Sequence, residues 1–485
     1  MPHATASRDG PVILWFRRDL RLHDNPALYE AVKSGRPIIP LYVLEEADGV
    51  RGPGAAARWW LDGSLRALAA DLKEAGSKLV LRRGDAARIV AEVVEKTGAS
   101  GVYWNRLYDD GAVARDKRLK ADLETADLKV CTCNGALLVE PWVLKTKTGT
   151  PFKVFTPFWN AMRRVAGDFV IHAAPARLEA PTQWPESESL DSWGLHPTAP
   201  DWSKGFDVWT PGEQGARHRL ADFIEDDLKS YPKARDEPAS EGSSRLSPHL
   251  HWGEISPRQI WRAVEGTAHR HPHVGSAADK FLAELAWRDF NHGILFHHPD
   301  LPTKNYKDAF DALPWSTNSK GLAAWKAGKT GYPMVDAGMR QLWATGFMHN
   351  RVRMIAASFL IKHLLIDWRI GEQWFWDTLV DADEANNPAN WQWVAGSGAD
   401  ASPFFRIFSP MGQGDRFDPQ GDYVRKWVSE LSKLDAKYIH APWSAPDHVL
   451  AKAGVKLGQT YPKPIVDHDT ARKRALDAFK GLKDG

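Results

Sequence analysis

The sequence predicts an α/β domain built on a parallel sheet, followed by a larger all-helical domain, and three observations carry that prediction. Short apolar and β-branched runs alternate with helix-like stretches over residues 1–140. A Pro-, Ser- and Gly-rich stretch without sustained period occupies 181–212. From 213 onward the apolar spacing is helical almost to the end. A chain of 485 residues is long for one domain and comfortable for two, so a large core is available without disulfide or metal support.

Taken in order, 12–16, 38–44, 78–82, 101–104 and 129–139 read as strands, with helices such as 54–75 and 111–126 between them. Strands alternating with helices imply crossover connections and a parallel sheet covered on both faces. No GxGxxG follows the first strand, so a dinucleotide in the usual Rossmann position is not expected. The α/β domain is expected at 1–140, an interdomain linker at 141–211 and the helical domain at 212–485. Helices are predicted there at 213–229, 256–265, 276–297, 320–327, 333–345, 348–364, 371–379 and 421–431.

Composition narrows the function classes. Lys plus Arg number 63 against 61 Asp plus Glu, a net charge of +2, so any nucleic-acid binding must be local rather than global. Cys131 and Cys133 are too close for an ordinary bridge and too few for a structural zinc or an iron–sulfur cluster, which suits a reducing cytoplasm. Residues 1–11 carry no signal-peptide core and no run of about 18 apolar residues occurs, so neither export nor a membrane span is expected. Of 23 Trp residues, 11 fall between Trp252 and Trp393. Most are expected to fill core, while stacking or electron transfer would need only a few.

Several segments can carry chemistry. Gly242-Ser243-Ser244-Arg245-Leu246-Ser247-Pro248 opens a helical region with clustered hydroxyls, which suits either an anion at the backbone N–H groups or simple N-capping. Phe281, Glu284, Trp287 and Arg288 recur at spacings of three and four and share a helix face, fit either for a flat hydrogen-bonding ligand or for a Glu–Arg surface pair. A buried Glu284 would stay protonated and donate to a carbonyl. Asn350 and Met354 lie one turn apart, and residues 381–388 read as a polar loop before Trp391-Gln392-Trp393. The histidines of 269–273 and 297–298 read as a surface loop and a helix end rather than metal ligands.

The run Gly331-Tyr332-Pro333-Met334-Val335-Asp336-Ala337-Gly338-Met339-Arg340, then 346–351, 383–393 and Phe405-Arg406-Ile407-Phe408-Ser409-Pro410, closely resembles the photolyase/cryptochrome family. Residues 15–28 resemble that family's opening signature, and the match covers nearly the whole chain in order. The resemblance implies an antenna domain followed by a helical domain that holds FAD. Matching FAD-contacting positions are Tyr231, Ser243, Ser244, Arg245, Leu246 and Ser247, where Ser243 replaces the family's usual Thr and keeps the hydroxyl. Phe281, Arg288, Phe347, Asn350, Asp381 and Asp383 match the flavin pocket, and Arg353 with Asp381 matches an ion pair beside the ring. Asn387 matches the residue facing the reactive flavin nitrogen, where an amide can donate or accept. Trp391, Trp368 and Trp315 match the family's electron-transfer chain.

Within the family, Glu284, Trp287, Asn350, Met354 and Trp393 match the set that binds a cyclobutane pyrimidine dimer, with Arg288 and Arg351 beside it. A (6-4) repair enzyme is expected to carry His at 350 and 354. The resemblance therefore implies light-driven repair of dimers in UV-damaged DNA, the dimer being extruded from the duplex and stacked on Trp287 and Trp393. Phosphate contacts are expected from local cations such as Arg351, Arg406 and Lys233. Methenyltetrahydrofolate is the expected antenna, with a deazaflavin or none left open, because Gly111-Ala112 stands where folate-binding members carry Asn-Glu. The competing readings are a blue-light receptor without repair and a nicotinamide-dependent flavin reductase. The chain ends soon after residue 480, with no long signalling tail expected, and a cytoplasmic monomer is expected.

Overall fold

The computed structural model describes residues 10–482 apart from 48, 168 and 402–404; the reading of residues 1–9 as no leader lies outside the described residues. Five strands, β1 Val12–Phe16, β2 Ile38–Glu45, β3 Val80–Gly84, β4 Gly101–Asn105 and β5 Lys129–Cys133, are joined by helices α1 Pro26–Lys33, α2 Ala55–Glu74, α3 Ala86–Thr97 and α4 Asp110–Thr125. After them come α5 Phe155–Val165, α6 Glu213–Asp222, α7 Tyr231–Ala234, α8 Ser247–Trp252, α9 Pro257–Arg270, α10 Gly275–His297, α11 Ser319–Lys326 and α12 Pro333–Thr345. The last helices are α13 Asn350–Ser358, α14 Trp368–Thr378, α15 Asn386–Ala395, α16 Pro410–Phe417, α17 Asp422–Trp427, α18 Asp447–Ala453 and α19 His468–Gly481.

Two compact units emerge: Met1–Asp201 with Trp209–Asp226 and Ser244–Pro299, and Trp202–Val208 with Asp227–Ser243 and Asp300–Gly485. In the first, all strand pairs are parallel in the order β3-β2-β1-β4-β5. All five residues of β1 are buried, which is why the central strand reads as an unbroken apolar run rather than an alternating one. Ile13 and Trp15 pack with Ile39, Leu41, Val90, Val102 and Trp104 on one face. Side-chain caps start the helices: Asn25 accepts from Leu28 N, Asp85 from Arg88 N and Asp109 from Ala112 N.

The segment Ser244–Pro299 belongs to the same unit as the sheet, and buried polar groups explain why. Arg21, 1% exposed, donates to the carbonyls of Gly135 and Gly253 at 2.7 and 2.8 Å. Fully buried Glu254 accepts from Trp60 Nε1 at 3.1 Å and from Gly212 N at 2.6 Å, and contacts Ser64 and His249. Satisfied buried bonds of this kind hold a segment in one place, since leaving any partner unpaired is expensive.

Element bounds differ from expectation in readable ways. β5 stops at Cys133 because Asn134 turns the chain, its side chain accepting from Leu137 N and donating to Leu137 O. The expected linker at 141–211 contains α5, which buries Phe155, Phe158 and Met162 on one face and starts at Val154 with no side-chain cap to announce it. The helix expected at 348–364 begins at Asn350, capped by His349, whose Nδ1 accepts from Arg351 N, and its last turn widens over Phe359–His363. The second unit packs α12, α13, α14, α15 and α17 around Met334, Val335, Leu342, Val352, Ile355, Phe359, Trp368, Phe375, Trp391 and Val424.

Candidate functional site

In the first unit, the turn 244–247 and one face of α10 carry the predicted residues. Arg245 adopts φ 51° and Leu246 lies in the right-handed region, a pair of opposite hand that turns successive N–H groups toward one concavity. Arg219 Nε braces the turn by donating to Ser244 O at 3.1 Å, and Ser244 Oγ accepts from Leu246 N. Ser247 and Pro248 then open α8.

On α10, Phe281 packs against Phe223 with ring centres 4.5 Å apart. Glu284, expected to be buried, is a quarter exposed and accepts from Lys280 Nζ at 2.8 Å. Arg288 does not pair with Glu284; its Nη1 donates to the carbonyl of Ala136. Trp287 stacks on Phe155 at 3.8 Å with planes 7° apart, which covers one face of the indole. On the opposite side of the helix, buried Asp289 accepts from Val139 N at 2.9 Å. Burial pushes that carboxyl up to about 7, against the smaller pull of Arg288 and two backbone N–H groups.

In the second unit, α13 presents Asn350 at its exposed first turn, with Arg351, Arg353 and Met354 following. Arg351 pairs with Asp236 at 2.6 Å and lies over the Phe417 ring at 4.5 Å, so this cation is already engaged within the protein. Arg353 donates to Met348 O at 2.7 Å and to Asp381 Oδ2 at 2.9 Å, and its guanidinium stands 5.0 Å from the Phe347 ring centre. His349 is held at about 4 by burial, with neighbouring Arg351 and Arg353 adding to the effect against Asp236. It caps α13 as the neutral imidazole.

The loop between α14 and α15 builds a buried polar wall. Asp383 accepts from Ala385 N at 2.9 Å, from Asn386 N at 2.5 Å and from Asn386 Nδ2 at 2.6 Å, which nucleates α15. Asn387 donates from Nδ2 to Glu372 Oε1 at 2.8 Å and to Glu372 O at 3.1 Å, so its amide is tethered and rotation would break both bonds. Asp381, Asp383 and Asn387 are each 8% exposed. Tyr231 is buried on α7 with Arg235 over its ring, and Ser243 N donates to Glu241 O at 2.8 Å.

The tryptophans separate by environment. Trp368 is fully buried, Trp391 is 2% exposed and Trp315 is half-buried against the same core. The Trp391 ring lies on the backbone of α14: a Cβ on Gly371 would stand 2.2 Å from it. Trp393 donates from Nε1 to Asp400 O at 3.1 Å. Sequence reasoning missed Phe155, Gly371 and Glu372. The first sat in a stretch read as linker, and the others give no local signal because their partners, Trp391 and Asn387, lie 20 and 15 residues away on the next helix.

Each unit by itself carries groups that suit a part of FAD: in the first, the nest-like turn at Arg245 suits a pyrophosphate, and in the second, Asn387, Asp381 and Asp383, with Arg353 beside them, suit a heterocycle carrying both donors and acceptors.

Comparison with known proteins agrees. Residues 12–181 match the model for DNA photolyase, and residues 281–481 match the FAD binding domain of DNA photolyase. The chain is 55% identical over 478 residues to a deoxyribodipyrimidine photo-lyase of Agrobacterium fabrum, covering 98% of this chain and 99% of the relative. It is 38% identical to cryptochrome-1 of Arabidopsis thaliana, covering 98% of this chain and 70% of that one. A crystal structure of a bacterial class III photolyase from Agrobacterium tumefaciens superposes with a TM-score of 0.95 at 54% identity, covering all of both chains. The chain belongs to the photolyase/cryptochrome family.

Proposed function

We propose that this chain is a light-driven DNA repair enzyme, a deoxyribodipyrimidine photo-lyase that splits cyclobutane pyrimidine dimers. The observation that carries the reading is the 55% identity to a deoxyribodipyrimidine photo-lyase over 98% of the chain, joined by the lesion-type residues Glu284, Trp287, Asn350, Met354 and Trp393.

The division of labour follows from the residues. Trp287, steadied from behind by Phe155, and Trp393, steadied by Asp400, offer flat surfaces to a flipped dimer, each stacked base contributing roughly 1–3 kcal/mol. Glu284 and Asn350 hydrogen-bond its bases and Met354 packs beneath. Ser243, Ser244, Arg245, Leu246, Ser247, Tyr231, Phe281, Arg288, Phe347, Arg353, Asp381, Asp383 and Asn387 hold FAD. FAD held there in reduced form would supply the light-driven one-electron chemistry that opens the dimer. The protein contributes position, exclusion of water and a fixed field.

For the antenna we propose methenyltetrahydrofolate. Arg17 donates to Asn105 O and so bridges the ends of β1 and β4, where strand order reverses and flat ligands of open sheets usually sit. Arg17 and Arg115 also cover Trp15 at 4.6 and 4.8 Å, paired with Asp116 and Glu45. A tricyclic deazaflavin there would have to displace that network, which favours a folate bound elsewhere. No helix among the described residues is long and apolar enough to cross a membrane. We place the protein in the cytoplasm as a monomer acting on UV-damaged DNA.

Anaerobic illumination of the reduced protein with an oligonucleotide carrying one thymine dimer tests the repair reading. Light-dependent loss of the dimer against a dark control is expected. An unchanged dimer would favour a light receptor instead. Reconstitution with methenyltetrahydrofolate, followed by its near-ultraviolet absorption, tests the antenna.

A further inference from the structure

Trp391 and Trp368 are both buried indoles, but their N–H groups meet opposite surroundings. Trp391 Nε1 has no acceptor among the described residues and its ring packs against Phe375, Trp325 and the Gly371 backbone. Trp368 Nε1 donates to Asn305 Oδ1 at 3.0 Å, and Asn305 Nδ2 in turn donates to Asp311 Oδ1 at 2.7 Å. Asn305 is only 4% exposed.

The placement of Asn305 is built from both sides. Gln392, the residue after Trp391 and itself fully buried, donates to Lys304 O at 2.8 Å and accepts from Tyr306 N at 2.7 Å, so it grips the residues flanking Asn305. Arg369 stands 4.9 Å from the Trp368 ring centre, but Asp367 at 3.0 Å and Asp311 at 3.5 Å answer its charge.

We infer that Asn305, oriented by Asp311 and clamped by Gln392, is a positioning residue that makes Trp368 easier to oxidise than Trp391. The inference rests on the reading of Trp391, Trp368 and Trp315 as an electron path. An indole that has lost an electron is a stronger N–H donor, so a fixed acceptor stabilises the oxidised form more than the neutral one. Asn305 is polarised by Asp311, which strengthens its carbonyl as acceptor. Trp391 has no such acceptor among the described residues, so its oxidised form gains nothing comparable from them. When photoexcited oxidised flavin takes an electron from Trp391, one electron passes from Trp368 to the Trp391 indole. No bond is made or broken, Trp391 returns to neutral, and Trp368 carries the positive charge. Its proton stays on nitrogen, because an amide oxygen is too weak a base to take it. The step runs outward because its product is the stabilised cation. Asp311 is 60% exposed, so solvent screens its charge and its main effect is to orient and polarise Asn305.

The test uses the FAD-loaded protein with oxidised flavin and compares Asn305→Leu, Asp311→Asn and Trp368→Phe. The expected result is a photoreduction yield about five-fold lower in Asn305→Leu, the ratio sustained by one hydrogen bond of ordinary strength, with a smaller loss in Asp311→Asn. Asp311→Asn sits at the surface and keeps its shape, so it reports even where Asn305→Leu folds poorly. A second readout is independent of light: the indole N–H proton resonance of Trp368 should move upfield in both variants as the bond weakens. Photoreduction lost in Trp368→Phe but unchanged in both other variants, with an unmoved resonance, overturns the role of Asn305 alone. Photoreduction unchanged in Trp368→Phe overturns the electron path and this inference with it.

Discussion

The ring of Phe155 lies parallel to the indole of Trp287 at 3.8 Å, a contact between α5 and α10 that covers one face of the indole and, on the proposed function, leaves the other for a base. Stacked aromatic pairs contribute about 0.5–1.5 kcal/mol beyond their burial. Replacing Phe155 with Leu keeps the volume filled but lets the indole tilt. Binding to dimer-containing duplex, followed by fluorescence anisotropy, should weaken by roughly two- to ten-fold. Trp287→Ala should lose more, roughly 1–3 kcal/mol. Equal losses on undamaged duplex would make both residues purely structural.

Gly371 predicts a different kind of sensitivity. A Cβ there would stand 2.2 Å from the Trp391 ring and 2.6 Å from Leu360, inside a helix where Ala is otherwise the favoured residue. Gly371→Ala should therefore destabilise rather than stabilise the protein, by about 1–3 kcal/mol as overpacking does. Urea unfolding measures this. A midpoint equal to or above that of the parent would mean the ring moves aside freely.

The parallel sheet was legible because β1, buried on both faces, is apolar at every position, and α12 was legible from its period and from the Gly346 that ends it. α5 was not, because its first turn carries Pro157 and no capping side chain, and its apolar face is complete only when Phe155 meets α10. The candidate site residues on α10 and α13 could be named from spacing and resemblance. Their partners could not: Asp236 for Arg351 is set by packing of segments 115 residues apart, and on α15 Glu372 for Asn387 is set by how α14 packs on α15. The grip of Gln392 on residues 304–306 was equally silent, since a Gln between two Trp residues has no local signature.

Asp289 gives a pH dependence whose sign is fixed. Burial raises its folded value to about 7, whereas the unfolded chain has an ordinary Asp. Between about pH 4 and pH 7 the folded protein holds a proton that the unfolded chain has released, so this group's contribution is fully present below pH 4 and is lost as pH rises through 7. The slope reaches at most ~1.4 kcal/mol per pH unit. Asp289→Asn keeps an oxygen for the bond from Val139 N and abolishes the titration. Its thermal midpoint should exceed the parent's at pH 8 and approach it at pH 5. A constant difference across that range would remove Asp289 as the cause.

Trp391 separates two processes that share one cofactor. It is buried on α15, four residues from Asn387, and touches α14 through Gly371; in the proposed electron path it is the tryptophan that would re-reduce oxidised FAD from within the protein. Repair by FAD that is already reduced needs the lesion-binding side chains but no electron from tryptophan. Trp391→Phe keeps an aromatic ring in the same space, close to volume-conserving, and removes the oxidisable indole. Photoreduction of oxidised FAD, followed by bleaching of its blue absorption, should slow by an order of magnitude or more. Dimer repair by protein reduced chemically beforehand should remain largely intact. If photoreduction is unchanged, the electron enters by another route. If both activities fall together, the substitution has disturbed the Asn387 end of α15, and loss of its bond to Glu372 is the contact to examine.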